Sequence, residues 1–382
     1  MDFDLSEEQR QISDNLARLL KDRYGFEQRK AYKKSPLGFS EELWAQYAEL
    51  GLLGASFSEE DGGYGGGAIE RMLIGEAFGR ALALEPYVAT VVLAGGAIRH
   101  AGSTAQRQAL LGSVTSGELR LALAHSERTS GWNPFDVSTR AEKNGSGFTL
   151  NGEKGLVIHG DSAHKFVVLA RTAGGKRDRG GLGLFVVDAQ AEGVSRRGYE
   201  TQDGQRAAEV SFANVKVSAD DVLGDPEGAA PAVQATLDET IATLGAEAIG
   251  AMSEAIEITT DYLKTRKQFG VPIGSFQALQ HRASDMVVAL EQARSMAFYA
   301  SMMADEADAD ARGKAISAAK AQIGRSAKFI GQQATQLHGG IAMTYEYKLG
   351  HLFKRLTMID MSYGDADWHL KKLGEGASLF AA

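Results

Sequence analysis

Apolar residues recur at helical spacing through the first third of the chain. Near its start Ile12, Leu16 and Leu20 lie four positions apart, and Leu19 lies three positions after Leu16. This spacing puts them on one face and predicts amphipathic helices. Ser6 precedes two glutamates, as is typical where a helix begins, and further helices are expected over residues 39–50 and 70–83. We therefore expect residues 1–120 to form a helical N-terminal domain.

Between residues 121 and 224 the pattern changes to short alternating or apolar runs. The expected strands cover residues 120–124, 147–150, 165–170, 182–187 and 208–212. Turn dipeptides separate them, namely Asn144-Gly145, Asn151-Gly152, Gly174-Gly175 and Gly180-Gly181. Short strands divided by glycine turns predict a small antiparallel β-barrel or sandwich. We place this middle domain in residues 121–228.

Helical spacing returns after residue 228. Long helices are expected over residues 229–267, 276–305 and 310–337. Glycine-marked breaks at 336–340 and 362–365 divide the last part of the chain, and about five helices are predicted after residue 228. We expect a C-terminal four-helix-bundle domain in residues 229–382. The predicted fold class is α+β, mostly α.

Composition and charge exclude several classes of function. Of the 382 residues, 44% are apolar and 24% charged, and the net charge is -8. Nucleic acids and anionic membranes select for positive potential, so neither is an expected partner. No window approaches ~18 consecutive apolar residues, so no transmembrane helix is expected. The acidic start of the chain predicts no signal peptide, and we expect a cytoplasmic protein.

Metal and hydrolase chemistry also find no support in the sequence. The chain has no cysteine, which excludes disulfides, thiolate metal sites and a cysteine nucleophile. Its histidines do not share a metal-ligand spacing with carboxylates, so no metal is predicted. A Gly-x-Ser-x-Gly elbow is absent as well.

One carboxylate stands out in an apolar helical stretch. Glu247 lies between Gly245 and Gly250 in a run of alanine, leucine and isoleucine. A buried glutamate is costly unless it is neutral or paired. Glu247 is therefore either a functional group or a structural acid that pairs with an arginine or caps a neighbouring helix.

Several motifs occur together in this helical, β and helical order. They are Asn151-Gly152-Glu153-Lys154, Arg266-Lys267-Gln268-Phe269-Gly270, Phe276-Gln277 and Gln336-Leu337-His338-Gly339-Gly340. In these motifs and their spacing, the chain resembles the acyl-CoA dehydrogenase family over essentially its whole length. The resemblance implies FAD as cofactor, an acyl-CoA substrate, electron-transfer flavoprotein as electron acceptor, and usually a tetramer. Such enzymes serve β-oxidation of fatty acids and steroid catabolism.

The resemblance also implies which residues bind FAD. Arg266, Gln268, Phe269 and Gln277 match a segment that reaches across a subunit interface to the adenosine diphosphate. Gln336, Leu337, Gly339 and Gly340 match a loop at the pyrophosphate or adenine. Leu123, His125, Ser126, Val157 and Ile158 match segments against the flavin ring. Taken singly, the basic and glycine-containing motifs would be explained by ordinary helix termination.

The catalytic base departs from the family pattern. Relatives carry a glutamate either after a tyrosine in the last turn or on the long helix, and these positions are Gly364 and Thr240 here. Glu247 lies seven residues beyond Thr240, on the same helix face, and is the predicted base. Asp365 and Asp367 are rival bases.

Two further residues are expected near the substrate. Asp238, with Glu239 beside it, is expected at the surface or in contact with coenzyme A. Trp132 is expected to cover the substrate or to act as a packing lid.

The predicted function is FAD-dependent α,β-dehydrogenation of an acyl-CoA thioester. A base takes the α-proton, and the flavin takes the β-hydrogen as hydride. The assembly is expected to be a homo-oligomer or a heterotetramer with a paralogous subunit. The latter resembles two-gene enzymes for bulky or dicarboxylic thioesters, such as the small subunit of pimeloyl-CoA dehydrogenase. The alternatives are a non-catalytic partner subunit of such a heterotetramer and an oxygen-using flavin oxidase or monooxygenase.

Overall fold

A computed structural model describes residues 5–375 of the chain. It divides into two compact units. Of the described residues, one contains those up to Lys30, residues 68–83 and those from Ile241 onward. The other contains residues 31–67 and 84–240.

Helices form most of the described chain. They are α1 (Glu7–Arg23), α2 (Phe26–Lys33), α3 (Glu41–Glu49), α4 (Ala68–Ala81), α5 (Gly95–Ala101), α6 (Thr104–Thr115), α7 (Ala230–Thr265), α8 (Gln277–Ala304), α9 (Ala309–His338), α10 (Lys348–Met361) and α11 (Ala366–Glu375). A π-helical segment, Val88–Ala94, precedes α5. The predicted helices in the first and last thirds of the chain are confirmed, as are the breaks after α9 and α10.

The first helix begins where the sequence predicts. The Ser6 hydroxyl accepts a hydrogen bond from the Gln9 amide at 3.1 Å, and the Gln9 side chain accepts one from the Ser6 amide at 3.0 Å. This reciprocal pair satisfies two donors at the start of α1. Leu16 and Leu20 are its buried residues.

One mixed sheet forms the β region. Its strands are β1 (Leu121–Ala124), β2 (Arg140–Asn144), β3 (Gly147–Ile158), β4 (Lys165–Arg171), β5 (Leu182–Asp188), β6 (Val194–Glu200), β7 (Arg206–Val217) and β8 (Val222–Leu223). The order is β6-β7-β3-β2-β4-β5-β8, with β1 beside β4. Most neighbours pair antiparallel, as predicted, but β1 runs parallel to β4, so the sheet is mixed. The predicted fold class is confirmed. The apolar runs predicted as strands form its core, including Phe166, Phe185 and Phe212.

Two features of the sheet differ from the sequence prediction. Asn151-Gly152 is no turn but lies within β3, at a register shift in the pairing with β7. Gly152 has a φ of 150°, and a side chain there would collide with Thr139. The strands β2 and β6 were not predicted, because most of their residues are polar and exposed.

Two helices of the first unit touch through glycines. A Cβ at Gly79 of α4 would overlap the backbone carbonyl of Glu247 in α7, and one at Gly250 would overlap that of Glu76. Backbones can approach this closely only where no Cβ intervenes. The contact therefore gives Gly250 a structural role. Within residues 5–375, no helix has the length and apolarity needed to cross a membrane.

Candidate active site

A buried ion pair joins the segments that were predicted to face the flavin ring. The Lys154 ammonium lies 2.9 Å from a Glu127 carboxylate oxygen, and the lysine side chain has no exposed surface. Lys154 also donates to the His125 carbonyl at 3.2 Å. The Glu127 carboxylate accepts the amides of Ser138 at 2.8 Å and Thr139 at 2.9 Å. The segment after β1 is thereby fixed to the middle of β3.

The charges of this cluster follow from burial and from each other. Burial lowers the pKa of Lys154 to about 8, although Glu127 raises it. Burial and the nearby Lys154 lower the pKa of His125 to about 4, so His125 is neutral at pH 7. Burial raises the pKa of Glu127. The Lys154 ammonium and the two amides lower this pKa by more than burial raises it, so the net shift is downward.

The predicted flavin-facing residues differ in what they can offer. The side chains of Leu123 and Val157 are buried in the protein, so only their backbone is available to a ligand. Ser126 and Ile158 are half-buried. Leu156, two residues before Ile158, is 47% exposed and has a φ of 51°. This conformation is uncommon outside glycine and is found at functional sites.

The Arg266 segment forms an exposed hairpin in the other unit. β9 (Lys267–Gln268) pairs with β10 (Val271–Pro272), and Phe269 and Gly270 make the turn. Both turn residues have positive φ, 54° and 82°, as a type I′ turn requires. Phe269 is 91% exposed. A large apolar side chain held exposed at positive φ fits the predicted role of this segment in binding.

The start of α8 lies next to this hairpin. Phe276 packs against the Phe269 ring, with 6.2 Å between centroids. Gln277 is the first residue of the helix and is exposed, as are Arg266 and Gln268.

The end of α9 lies beside the helix that leads into the hairpin. His338 stacks on Tyr262, one turn before Arg266, with 4.4 Å between ring centroids. Gln336, Gly339 and Gly340 are exposed, whereas Leu337 is buried. No atom would lie within 4 Å of a Cβ built at Gly339 or Gly340, so their backbone is open to a ligand. The structure therefore brings the two predicted adenosine-diphosphate segments together.

This set of donors suits a flavin dinucleotide. The Arg266 guanidinium offers paired N–H groups to phosphate oxygens. The open backbone at Gly339 and Gly340 allows phosphate or adenine to approach closely. These groups lie in the unit that contains α8 and α9, and the segments predicted at the flavin ring lie in the unit that contains the sheet.

Glu247 is buried and fully engaged. It is 4% exposed. Its two carboxylate oxygens accept hydrogen bonds from Arg355, one from Nε at 2.6 Å and one from Nη2 at 2.8 Å. This arrangement matches the alternative that the sequence left open, a buried acid paired to an arginine. A base role requires Arg355 to release one oxygen. Nothing in the pattern around Arg355 on α10 had indicated this partner.

The final turn offers no better carboxylate. Asp365 caps α11 by accepting the Trp368 amide at 2.8 Å, and Asp367 is exposed in the first turn. Gly364 has a φ of 103°, and a Cβ there would lie 2.5 Å from the Trp368 ring. The turn is therefore closed to a side chain at position 364 in this conformation.

The expectation that Asp238 and Glu239 lie at the surface was wrong. They are 1% and 2% exposed. Asp238 accepts the Gln234 side chain at 2.9 Å. Glu239 pairs with Arg99 and, at 2.8 Å, with His100. Both acids face the interior because α7 is buried on most of its surface here.

Trp132 lies in the loop that follows β1 and is 39% exposed. Its ring is therefore partly available at the surface, as a cover over a substrate would require. Among the described residues, no group of histidines and carboxylates could hold a metal ion.

Helical, β and helical segments in this order, with an exposed set of donors that suits a diphosphate, fit a flavin-dependent oxidoreductase. The family models for the acyl-CoA dehydrogenase N-terminal, middle and C-terminal domains match residues 6–118, 122–215 and 228–377. The chain belongs to the acyl-CoA dehydrogenase family. It is a FAD-dependent enzyme that acts on acyl-CoA.

Individual relatives resemble it over most of their length. Acyl-CoA dehydrogenase FadE12 of Mycobacterium tuberculosis is 31% identical over 311 residues, which cover 80% of each chain. Probable acyl-CoA dehydrogenase YngJ of Bacillus subtilis is 29% identical over 334 residues, 86% of this chain and 87% of that protein. A solved variant of the Tcur3481-Tcur3483 steroid ACAD has a TM-score of 0.87 and 31% identity, and the match covers 97% of both chains.

Proposed function

We propose that this chain oxidises the α,β bond of an acyl-CoA thioester, with α-proton abstraction by a protein base and β-hydride transfer to FAD. The observation that carries the proposal is the exposed, strained Arg266–Gly270 hairpin beside the open end of α9. Family membership supplies the reaction class. We also propose three domains, residues 1–120, 121–228 and 229–382, which the extents of the three family matches support.

The chain's own residues have distinct roles in this proposal. Arg266, Gln268 and Gln277 bind the FAD diphosphate with Gln336 and the Gly339-Gly340 backbone. The backbone around His125, Ser126 and Ile158 orients the flavin ring. Bound FAD accepts the hydride. Asp238 and Trp132 are proposed on the substrate side. Asp238 is buried, so its proposed role is to position α7, whereas the partly exposed Trp132 is proposed to cover the substrate.

Glu247 is the proposed base. Its burial excludes water, and both family positions for a glutamate, Thr240 and Gly364, lack a carboxylate. To take the α-proton, one carboxylate oxygen must leave Arg355, while the other keeps its hydrogen bond and the guanidinium charge stays close.

The exposed hairpin also bears on oligomerisation. A Phe269 side chain that is 91% exposed in one chain is explained if the hairpin binds the FAD of a second subunit. We propose a homo-oligomer or a heterotetramer with a paralogue, and the paired name of the Tcur3481-Tcur3483 steroid ACAD supports the second form. Electron-transfer flavoprotein is the proposed acceptor.

An anaerobic titration tests this function. The purified protein is mixed with short, long, branched, aromatic, dicarboxylic and steroid-side-chain acyl-CoA thioesters while flavin absorbance is followed. Bleaching by one class supports dehydrogenation and identifies the acyl group. Arg266→Ala is expected to lose most of its FAD, whereas Lys264→Ala, an exposed neighbour at the end of α7, should retain it. Equal FAD content in both variants would contradict the binding assignment.

A second function has a specific observation in its favour. Because Arg355 engages both oxygens of Glu247, the chain could be the non-catalytic subunit of a heterotetramer. In that case FAD in the isolated chain is not bleached by any thioester until the paralogue is added. Bleaching of the isolated chain would exclude this function.

A further inference from the structure

Lys154 lies where β3 meets the segment after β1, both in the second unit. Its ammonium contacts the Glu127 carboxylate at 2.9 Å and the His125 carbonyl at 3.2 Å. Directly after it, the Gly155 amide donates to the Ser126 carbonyl at 3.0 Å. These contacts fix the distance between the segment after β1 and the part of β3 that begins at Leu156.

We propose that Lys154 is a positioning residue for the flavin, holding the His125–Ser126 backbone in register with Leu156–Ile158. The inference rests on the proposed flavin site, since these are the two segments assigned to the flavin ring. Lys154 itself is fully buried. It acts through the carbonyl and the carboxylate that it binds.

The charge arrangement suits this role. Glu127 opposes Lys154 directly, while Arg171 and His125 are the other titratable groups that interact with the cluster. A buried carboxylate without its cation is strongly destabilising. Removal of Lys154 alone therefore combines two effects, an uncompensated Glu127 charge and a His125 carbonyl that has lost its donor.

A double variant separates these effects. Lys154→Met removes both contacts. In E127Q/K154M the uncompensated charge is also gone, and the glutamine oxygen remains as an acceptor for one of the Ser138 and Thr139 amides. We expect Lys154→Met to weaken FAD binding about tenfold, because a charge-assisted hydrogen bond is lost. E127Q/K154M should regain thermal stability but keep the weak FAD binding and an altered visible flavin spectrum.

Lys320 provides a matched control. It too is a buried lysine that donates to backbone carbonyls, those of Ile359 and Asp360, and burial also lowers its pKa to about 8. Lys320→Met should lower thermal stability while FAD affinity stays within about twofold of wild type, since no predicted flavin segment contacts it.

The measurements are FAD titration of the apoprotein, the visible absorbance and circular dichroism of bound flavin, and its midpoint potential. Lys154→Arg, which keeps the charge and a donor, should partly restore the wild-type spectrum. If E127Q/K154M regains wild-type FAD affinity together with its stability, Lys154 is only a stabilising residue and the inference is overturned. A wild-type chain that binds no FAD would instead overturn the proposed function.

Discussion

Glu247 and Arg355 form a buried, bidentate ion pair between α7 and α10. The two residues are 108 positions apart, and both bonds are shorter than 3 Å. Such a geometry is specific as well as strong. It accounts for a charged residue in the otherwise uncharged stretch 240–253 of α7 and sets the main question about catalysis in this chain.

Replacing Glu247 by glutamine tests the base assignment. A glutamine amide cannot accept the α-proton. We therefore expect the variant to keep its yellow FAD. The rate at which acyl-CoA bleaches the flavin should fall by at least about a thousandfold, which lies in the upper range for general-base catalysis. Stopped-flow absorbance under anaerobic conditions measures the single-turnover rate.

Arg355→Lys is the companion variant. Lysine keeps the positive charge but cannot form the two parallel hydrogen bonds of an arginine. The Glu247 carboxylate itself is unchanged in this variant. Flavin reduction should persist in this variant at a measurable rate. If Glu247→Gln instead melts at a lower temperature and is bleached at the wild-type rate, the pair is structural and the base lies elsewhere.

Gly364 should tolerate no side chain. Its φ of 103° and the Trp368 ring 2.5 Å from a built Cβ predict that Gly364→Ala lowers the free energy of unfolding by about 1–3 kcal/mol. Gly313→Ala in α9 meets no atom within 4 Å and should raise it by about 0.5–1 kcal/mol. Urea denaturation measures both. A neutral Gly364→Ala would show that the turn can rearrange.

Phe269→Asn should separate folding from assembly. Asparagine adopts positive φ more readily than phenylalanine, so the hairpin should form at least as well. Without the aromatic ring we expect weaker FAD binding and a smaller oligomer, measured by light scattering coupled to size exclusion. Tyr64→Asn, which also removes an exposed aromatic ring, should change neither. An unchanged mass and FAD affinity in Phe269→Asn would contradict the interface role.

His369 should make stability depend on pH. Burial and the nearby Lys320 lower its pKa from 6.5 to about 4. Between these values the unfolded chain binds the proton and the folded chain does not, so stability falls as the pH drops from 6.5 towards 4. The contribution of one such group is at most about 1.4 kcal/mol per pH unit.

His369→Gln should reduce this loss. The glutamine amide can still donate to the Tyr363 carbonyl, which His369 contacts at 3.1 Å. The variant should therefore lose less stability between pH 7 and pH 5 than wild type in urea denaturation, whereas His281→Gln, at an exposed position on α8, should follow wild type. Parallel pH profiles for wild type and His369→Gln would refute the assignment.

The fold was predictable where local pattern and local chemistry agree. The start of α1 after Ser6 and the long helices α7 to α9 depend on neighbours within a few residues, and they are confirmed. β6 was missed because an exposed edge strand lacks an apolar face. The turn predicted at Asn151-Gly152 was wrong, because a dipeptide that favours a turn also permits a β-bulge within a strand.

The candidate site was predictable only in part. The Arg266 hairpin and the end of α9 were expected at a diphosphate, and the stacking of Tyr262 on His338 brings them together. The partners of Glu247 and Lys154 were not predicted. They lie 108 and 27 residues away, and no local pattern indicates such pairs. Interior acids such as Glu239 look like surface residues until their cations are located.

The glycine contact between α4 and α7 has a consequence for protein engineering. Since Gly79 and Gly250 each make room for a carbonyl of the opposite helix, a shift of α7 by one residue would press an alanine methyl against the α4 backbone. The helix cannot slide to bring Glu247 to the place of Thr240. A carboxylate transplanted to that place must be introduced by substitution, with the two glycines left untouched.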